Sequence, residues 1–399
     1  HSLLHLIIIY TSFIIPGILQ AQERFTDRYN ISYITMDDGL PYNFIDDIYK
    51  DTRGFLWIST SGGGLSRYDG YEFIHFNPNT PHCKLKSNFI RNVYEDKYQR
   101  LWIVSEGGTN IIDLSTLQSI IPNDPQGLLT DLLNQPAYTV ILDSQNCIWL
   151  QCGNALHRIT FNTKGDVETL STLTLPELTE PDLVLKDIDE DGKIWTAINS
   201  TIYKISPNNQ GGLETNHISE KLTFTPDIYL RDMLAKENEV WIGTHIGLYR
   251  YNKNNNTIKM YENLPNDPNS LSQNYLTSLA ITNDKQLIAG TLRGANIYNP
   301  ITDNFERLTH NSTGNSQLNS NFINCIKVDG KHIWIGTESG GINKLTPKRL
   351  FIHNYIHDKE NPSSLSDNPV NTIYEDKEGN LWVGTVEGGL NLKKPDKDQ

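Results

Sequence analysis

The stretch GFLWISTSGGGLSRYDGYEF, residues 54–73, decides the fold because versions of it recur along the chain. Its centre, LWIST, has seven later counterparts: LWIVS (101–105), IWLQC (148–152), IWTAI (194–198), VWIGT (240–244), LIAGT (287–291), IWIGT (333–337) and LWVGT (381–385). Seven of the eight anchor positions are Trp and one is Ile288, and neighbouring anchors are 45 to 48 residues apart. A fixed period of this length indicates a repeat architecture.

Each repeat has room for four short strands. An apolar strand ends in an acidic turn, as in NTIYEDKEGN (371–380), and the Trp strand follows. A Gly-rich turn then leads to a third strand, and a fourth strand such as YEFIHF (71–76) completes the unit. Such a unit cannot bury its own faces, which is typical of a propeller blade. We therefore predict an all-β fold, a β-propeller of four-stranded antiparallel blades.

The number of blades depends on the N-terminal strand 30–35, which has no first three strands before it. If this strand completes the blade that ends near Leu345, the ring has seven blades and the eighth repeat begins a second propeller. Pairing of the same strand with 389–392 would instead give one eight-bladed ring. The first alternative predicts a signal peptide at 1–21, a seven-bladed propeller at 22–348 and the truncated start of a second propeller at 349–399.

The segment 3–19 is largely apolar and is followed by Gln-Ala-Gln and then charged residues. This pattern is typical of a secretion signal cleaved near Ala21, and an uncleaved membrane anchor or a buried helix are the alternatives. Either main alternative predicts that the rest of the chain is periplasmic.

Charge and cysteine content exclude several classes of function. The net charge is −13 and the pI is about 5.3, so a nucleic-acid partner is not expected. The four cysteines lack metal-ligand spacing and are expected to be buried free thiols. The string 187–192, DIDEDG, resembles the start of a calcium loop but has Ile198 at the twelfth position, which favours a plain acidic turn over a cation site. No metal or cofactor is predicted.

Three stretches carry a family resemblance: LWVGTVEGGLNL (381–392), the stretch 54–73, and MDDGLPYNFIDDIYKD (36–51). Together they resemble the two-component regulator propeller repeat, over about residues 29–392. The resemblance implies the periplasmic sensor of a Bacteroidetes hybrid two-component receptor, with a second propeller, a membrane helix and a histidine kinase beyond this segment. It also implies sensing of glycan breakdown products, control of polysaccharide-utilisation genes, and a homodimer formed through the full-length receptor.

Two sets of residues are candidates for ligand binding because the loops that carry them emerge on one face of a propeller. Aromatic residues recur where the loops enter the inner strands: Phe44, Phe89, Tyr229, Tyr275 and Phe322. Aromatic faces beside polar groups suit sugar rings, although packing between blades is an alternative role. Charged residues follow the second strands at comparable places: Glu106, His245, Arg293, Glu338 and Glu387. Arg293 and His245 could bind a sugar's carboxylate or sulfate, and a solvated rim is the alternative.

Signatures of catalysis are missing from the sequence. It contains no GxSxG or HExxH string and no paired metal-binding histidines, so no catalytic residue is predicted. The predicted function is a non-enzymatic sensor segment that binds an oligosaccharide and signals to a histidine kinase. A secreted propeller enzyme, either a lyase or a glycosidase, and a protein-binding propeller scaffold are the alternatives.

Overall fold

The computed structural model describes residues 24–174, 184–189, 191–198, 200–208, 212–219, 222–225, 227–311, 317–348 and 355–394. The predicted signal peptide lies outside the described residues. Contacts divide the chain into two compact units, 1–347 and 348–399.

The first unit contains seven four-stranded antiparallel sheets among its described residues. The first sheet comprises β2 (Ile45–Lys50), β3 (Leu56–Thr60), β4 (Gly64–Tyr68) and β5 (Phe73–Phe76), and the second comprises β6 (Ile90–Glu95), β7 (Arg100–Ser105), β8 (Gly108–Asp113) and β9 (Gln118–Ser119). The third comprises β10 (Ala137–Leu142), β11 (Ile148–Cys152), β12 (Ala155–Phe161) and β13 (Val167–Thr174), and the fourth comprises β14 (Val184–Ile188), β15 (Ile194–Ile198), β16 (Thr201–Pro207) and β17 (Leu213–His217).

The fifth sheet comprises β18 (Leu230–Lys236), β19 (Glu239–Thr244), β20 (Leu248–Asn252) and β21 (Thr257–Tyr261), and the sixth comprises β22 (Leu276–Ile281), β23 (Leu287–Thr291), β24 (Gly294–Asn299) and β25 (Asn304–Leu308). The seventh joins β26 (Ile323–Asp329), β27 (His332–Thr337) and β28 (Ile342–Pro347) to the N-terminal strand β1 (Tyr29–Ile34). Short helices cover Phe25–Arg28, Met36–Asp38 and Leu129–Leu132. No helix among the described residues is long and apolar enough to cross a membrane.

Strand β1 occupies the outer position of the seventh sheet. It runs antiparallel to β28, with Tyr29 opposite Pro347 and Ile34 opposite Ile342. The chain approaches closely at Gly341, where φ is +74° and an added Cβ atom would lie 2.3 Å from the carbonyl oxygen of Ile34. The N-terminal strand therefore pairs with the repeat that ends near Leu345, as predicted, and not with the eighth repeat.

Sheets that follow one another in the chain pack side by side. The inner strand β2 contacts both β6 and β26, so the first sheet lies between the second and the seventh. Likewise, β18 lies between β14 and β22. Apolar side chains fill the spaces between sheets; Trp57 and Leu65 of the first sheet pack in one cluster with Ile90 of the second. This arrangement confirms the predicted all-β propeller fold, while the number of blades in the complete protein stays a prediction.

The second unit contains a three-stranded sheet. Its strands are β29 (Val370–Glu375), β30 (Leu381–Thr385) and β31 (Gly389–Lys393), paired in that order. They belong to the eighth repeat. The predicted boundaries of a second propeller are not tested by this sheet alone.

Candidate functional site

The two predicted sets of residues meet at one face of the first unit. The amide of His245 donates a hydrogen bond to the carbonyl of Tyr229 at 3.2 Å. The amide of Glu338 donates to the carbonyl of Phe322 at 2.9 Å. Each bond joins the turn after a second strand to the loop that enters the inner strand of the same sheet. The backbone thus brings together residues that are 16 positions apart in the sequence.

A cavity of about 1000 Å³ opens between the inner strands. Its lining includes Asp46 of β2, Arg91 of β6, Tyr138 of β10, Arg231 of β18, Thr277 of β22 and Asn324 of β26. Six of the seven sheets therefore contribute an inner-strand side chain. A cavity enclosed by the inner strands of a propeller lies along its axis, where several repeats can touch one small ligand.

A β-bulge at the same place in each inner strand supplies these side chains. In β2 the pairing with β3 jumps from Ile45 to Asp47, so no residue of β3 lies opposite Asp46. The same shift occurs in β6 and β18, where no residue of the neighbouring strand lies opposite Arg91 or Arg231. The equivalent residues of β10, β14, β22 and β26 are Tyr138, Lys186, Thr277 and Asn324. Because a bulge re-aims one side chain without breaking the sheet, each repeat can present a different residue at this position.

The residue after the bulge holds neighbouring inner strands together. Asn92 donates its side-chain amide to the carbonyl of Val140 at 3.1 Å and accepts from the Val140 amide at 3.0 Å. The Asp232 carboxylate accepts from the amide of Leu279 at 2.7 Å. Ser278 accepts from the amide of Ile326 at 3.1 Å. These bonds fix the walls of the cavity, so the side chains that make them have a structural role. In β26 the bulge residue shares that role, because the Asn324 side-chain amide donates to the carbonyl of Ile45 at 3.2 Å.

Cationic and aromatic side chains alternate across the sheet boundaries. The Arg91 guanidinium lies over the Tyr138 ring, 4.7 Å from its centroid. The Arg231 guanidinium lies over the Tyr275 ring at 5.2 Å. Such stacking orients the guanidinium plane and leaves its N–H edges available to a ligand.

The carboxyl group of Asp46 lines the cavity and has a shifted pKa. Burial and the neighbouring Asp47 carboxylate raise the pKa of Asp46 to about 7, and the nearby Arg91 charge opposes this shift. A carboxyl group with such a pKa is partly protonated near neutral pH, so it can both donate and accept hydrogen bonds.

The structure places only some of the predicted residues in the cavity. Tyr229, Tyr275 and His245 line it, with the Tyr229 and His245 rings 5.2 Å apart. The others are not among the lining residues: Phe44, Phe89, Phe322, Glu106, Arg293 and Glu338. All of these except the half-buried Phe44 have exposed side chains. Their roles in binding stay predictions.

The residues that sequence reasoning missed are those at the bulges. Strict alternation along a strand cannot show where an extra residue shifts the pattern. One signal was present in the aligned repeats: directly after a column that is always apolar, one column varies widely in charge and size. Its members are Asp46, Arg91, Tyr138, Arg231, Thr277 and Asn324.

The acidic hairpins on the opposite face have a structural role. Asp189, in the string that resembles a calcium loop, accepts from the Trp195 indole at 2.9 Å and from the Lys193 amide at 2.9 Å. Its carboxylate also lies 3.0 Å from the Lys204 ammonium. These partners support the interpretation of an acidic turn; Glu190 of the string lies outside the described residues. The described part of the chain holds no group of three or more His, Cys, Asp or Glu side chains placed to bind a metal ion.

All four cysteines are buried free thiols, as predicted. Burial raises the pKa of Cys147 to about 11 and that of Cys152 to about 12. Cys325 lines the cavity, but burial raises its pKa well above the usual value as well. None of these thiols has the low pKa of a reactive nucleophile.

Three segments, 39–62, 84–107 and 364–387, match the family model described as two component regulator propeller. This match confirms the resemblance found in the repeats. No curated protein sequence matches the chain.

Solved structures share the fold. The extracellular domain described as that of the hybrid two component system BT3049 from B. thetaiotaomicron is 23% identical, with a TM-score of 0.62 over 92% of this chain and 48% of its own. The corresponding domain of BT4673 from B. thetaiotaomicron is 19% identical, with a TM-score of 0.60 over 92% and 52%. The chain thus spans about half the length of these two domains. A virginiamycin B lyase from Staphylococcus aureus is 13% identical, with a TM-score of 0.53 over 80% of this chain and 100% of its own.

Proposed function

We propose that this chain, which carries two component regulator propeller repeats, is part of the periplasmic sensor of a hybrid two-component receptor. In this proposal it binds an oligosaccharide released from a polysaccharide, and a histidine kinase elsewhere in a dimeric, membrane-anchored receptor receives the signal. The family match and the shared fold of two such extracellular domains support the sensor role.

The observation that carries the proposal is the cavity between the inner strands. Its volume of about 1000 Å³ suits a short oligosaccharide. Tyr229 and Tyr275 offer aromatic faces for the C–H faces of a sugar ring, while the Asp46 carboxyl group and the side-chain oxygen of Asn324 offer hydrogen-bonding groups for hydroxyls. A ligand that touches several sheets at once can also alter how they pack, which would give the receptor a signal to transmit.

Calorimetry on the purified chain with a panel of oligosaccharides tests this proposal. Tyr229→Ala and Tyr275→Ala should each weaken binding about five- to thirtyfold, since a stacked aromatic contributes roughly 1–2 kcal/mol. Tyr71→Ala is a matched control, because Tyr71 is 92% exposed in the turn before β5, at the opposite end of the first sheet. Absence of binding to any oligosaccharide, or equal binding by all three variants, would contradict the proposal.

A second candidate function, a lyase or glycosidase, is favoured by one observation. The pKa of Asp46, raised to about 7 by burial, is suited to a general acid, and Asp47 adds a second carboxylate at the same cavity. Incubation of a bound oligosaccharide with the chain and with Asp46→Asn tests it. Cleavage by the unmodified chain but not by Asp46→Asn would establish enzymatic activity. An intact ligand in both samples would exclude cleavage and leave the sensor role as the proposed function.

A further inference from the structure

We infer that the cavity recognises an oligosaccharide bearing carboxylate or sulfate groups, and that Arg91 and Arg231 are the residues that bind them. This inference rests on the proposed function, because it concerns the chemistry of the same ligand.

Both arginines are available to a ligand. Neither has a carboxylate within ion-pair distance among the described residues, although each lines the cavity. By contrast, Arg100 is engaged inside the protein, where it pairs with Asp96 at 2.7 Å. Arg100 is thus buried and paired, whereas each of the two bulge arginines lies over a tyrosine ring.

Two of the three acids that line the cavity are hydrogen-bonded or partly protonated. Asp232 accepts hydrogen bonds from the amides of Leu279 and Met233, at 2.7 and 2.9 Å. Asp46 is partly neutral near pH 7 because burial raises its pKa. Lys327 adds a third cation to the lining. The cavity of a chain with net charge −13 thus presents cationic groups without an ion-pair partner among the described residues, while two of its three carboxylates are bonded or partly protonated.

The geometry of the two arginines sets the size of the ligand. Arg91 belongs to the second sheet and Arg231 to the fifth, so two sheets separate them around the ring. A guanidinium binds a carboxylate or sulfate through two parallel N–H bonds. The stacked rings of Tyr138 and Tyr275 lie beside these positions and can pack against the sugar that carries the anion. An extended anionic oligosaccharide fits this spacing better than a small inorganic anion.

The test is a thermal-shift screen of the purified chain against carboxylated, sulfated and neutral oligosaccharides, followed by calorimetry on every hit. Arg91→Gln and Arg231→Gln keep a polar side chain that can still form hydrogen bonds, but they shorten it and remove its charge. Each should weaken an anionic hit at least tenfold and reduce the salt dependence of its affinity. Arg91→Lys and Arg231→Lys should recover part of the loss. Lys331→Gln is the charge-matched control, because Lys331 is exposed in the β26–β27 turn on the opposite face.

Each outcome decides between distinct conclusions. Hits confined to anionic sugars, and weakened by the two cavity variants alone, support the inference. Neutral hits that neither variant affects would overturn the inference and leave the proposed function standing. Anionic hits that respond to Arg293→Gln instead would move the site to the rim and overturn the assignment to Arg91 and Arg231. Failure of every oligosaccharide to bind would overturn the inference and the proposed function together.

Discussion

At the scale of single residues, a carboxylate in several of the hairpins before the Trp strands holds two or more donors. Asp51 accepts from the Trp57 indole at 2.8 Å and from the amides of Arg53 and Phe55 at 3.0 and 2.9 Å. The same indole bond joins Trp102 to Asp96 and Trp149 to Asp143. The fifth and seventh sheets lack this carboxylate, because Ala235 stands six residues before Trp241 and Val328 six residues before Trp334. The Trp334 indole nitrogen is buried and has no hydrogen-bond partner among the described residues.

This difference predicts unequal costs for the same substitution. Trp57→Phe should lower the free energy of unfolding by about 2 kcal/mol more than Trp334→Phe, since it alone breaks a buried bond to a charged group. Both changes remove the same side-chain volume, so Trp334→Phe controls for packing. Urea denaturation followed by circular dichroism measures the difference. Equal losses of stability would show that the indole bond contributes nothing.

Asp46 predicts a pH dependence of stability. Its folded pKa of about 7 exceeds the ordinary value of 3.8 because of burial, so the folded state holds a proton that the unfolded chain releases. Stability therefore falls as the pH rises from about 4 to about 7. Asp46→Asn removes this penalty and should stabilise the chain at pH 8 by at least ~1 kcal/mol, with little effect at pH 4.

Thermal melts at the two pH values check this expectation. Glu168→Gln, which neutralises an exposed carboxylate on β13, is the control and should change neither melt. A stabilisation of the Asp46→Asn variant that is the same at pH 4 and pH 8 would mean that the carboxyl group does not titrate in this range.

The candidate site shows where sequence reasoning succeeds at this scale. Tyr229, Tyr275 and His245 were found because they stand beside turns whose position is set by the repeat alone. Arg91 and Arg231 were not found because a bulge places them, and the hydrogen-bond register that creates a bulge is a property of paired strands. The alternation pattern of a single strand, considered without its neighbour, predicts the wrong face for such residues.

At the scale of elements, strand assignment from the repeat was largely successful. The predicted segments 56–60, 148–152 and 287–291 coincide with β3, β11 and β23. The strand exchange by β1 was also predictable, because a strand with no repeat before it must pair with a sheet that lacks one. Strand β9 is only two residues long, and the repeat pattern did not predict so short a strand. Its register depends on contacts to β8.

Strand β1 predicts a stabilising cross-link. Asn30 on β1 lies directly opposite Thr346 on β28, so a disulfide between Asn30→Cys and Thr346→Cys matches the spacing of cross-strand pairs. The bond would close a loop that includes nearly the whole first unit and stabilise the chain by up to ~5 kcal/mol. The native thiols are buried, so oxidation should join only the new pair.

Mass spectrometry identifies the cross-linked peptide, and thermal melts of the oxidised and reduced variant measure its effect. The reduced form of the same variant is the control for the substitutions themselves. A cross-link that forms without raising the melting temperature would show that separation of β1 from β28 does not limit stability.

At the scale of the whole molecule, the two units differ in how they cover equivalent positions. Ile373 of the eighth repeat is 62% exposed, whereas its counterpart Ile48 in the first sheet is 1% exposed. Leu390 is 65% exposed, and its counterpart Leu65 is fully buried. A three-stranded sheet with such apolar faces lacks the neighbours that repeats of this kind require. We propose that further repeats of the same type pack against it in the complete protein, as the start of a second propeller.

The proposal predicts that the cost of one substitution depends on whether further repeats cover the eighth. In the 399-residue chain, Leu65→Ser should cost at least ~3 kcal/mol because it empties a buried site, whereas Leu390→Ser should change stability by less than ~0.5 kcal/mol. In a protein extended by further repeats, Leu390→Ser should become as costly as Leu65→Ser, since the same position would then be covered by a neighbouring sheet. Calorimetric melts of both variants in both lengths make the comparison. If Leu390→Ser stays harmless in the extended protein, the eighth repeat is not the first blade of a second ring.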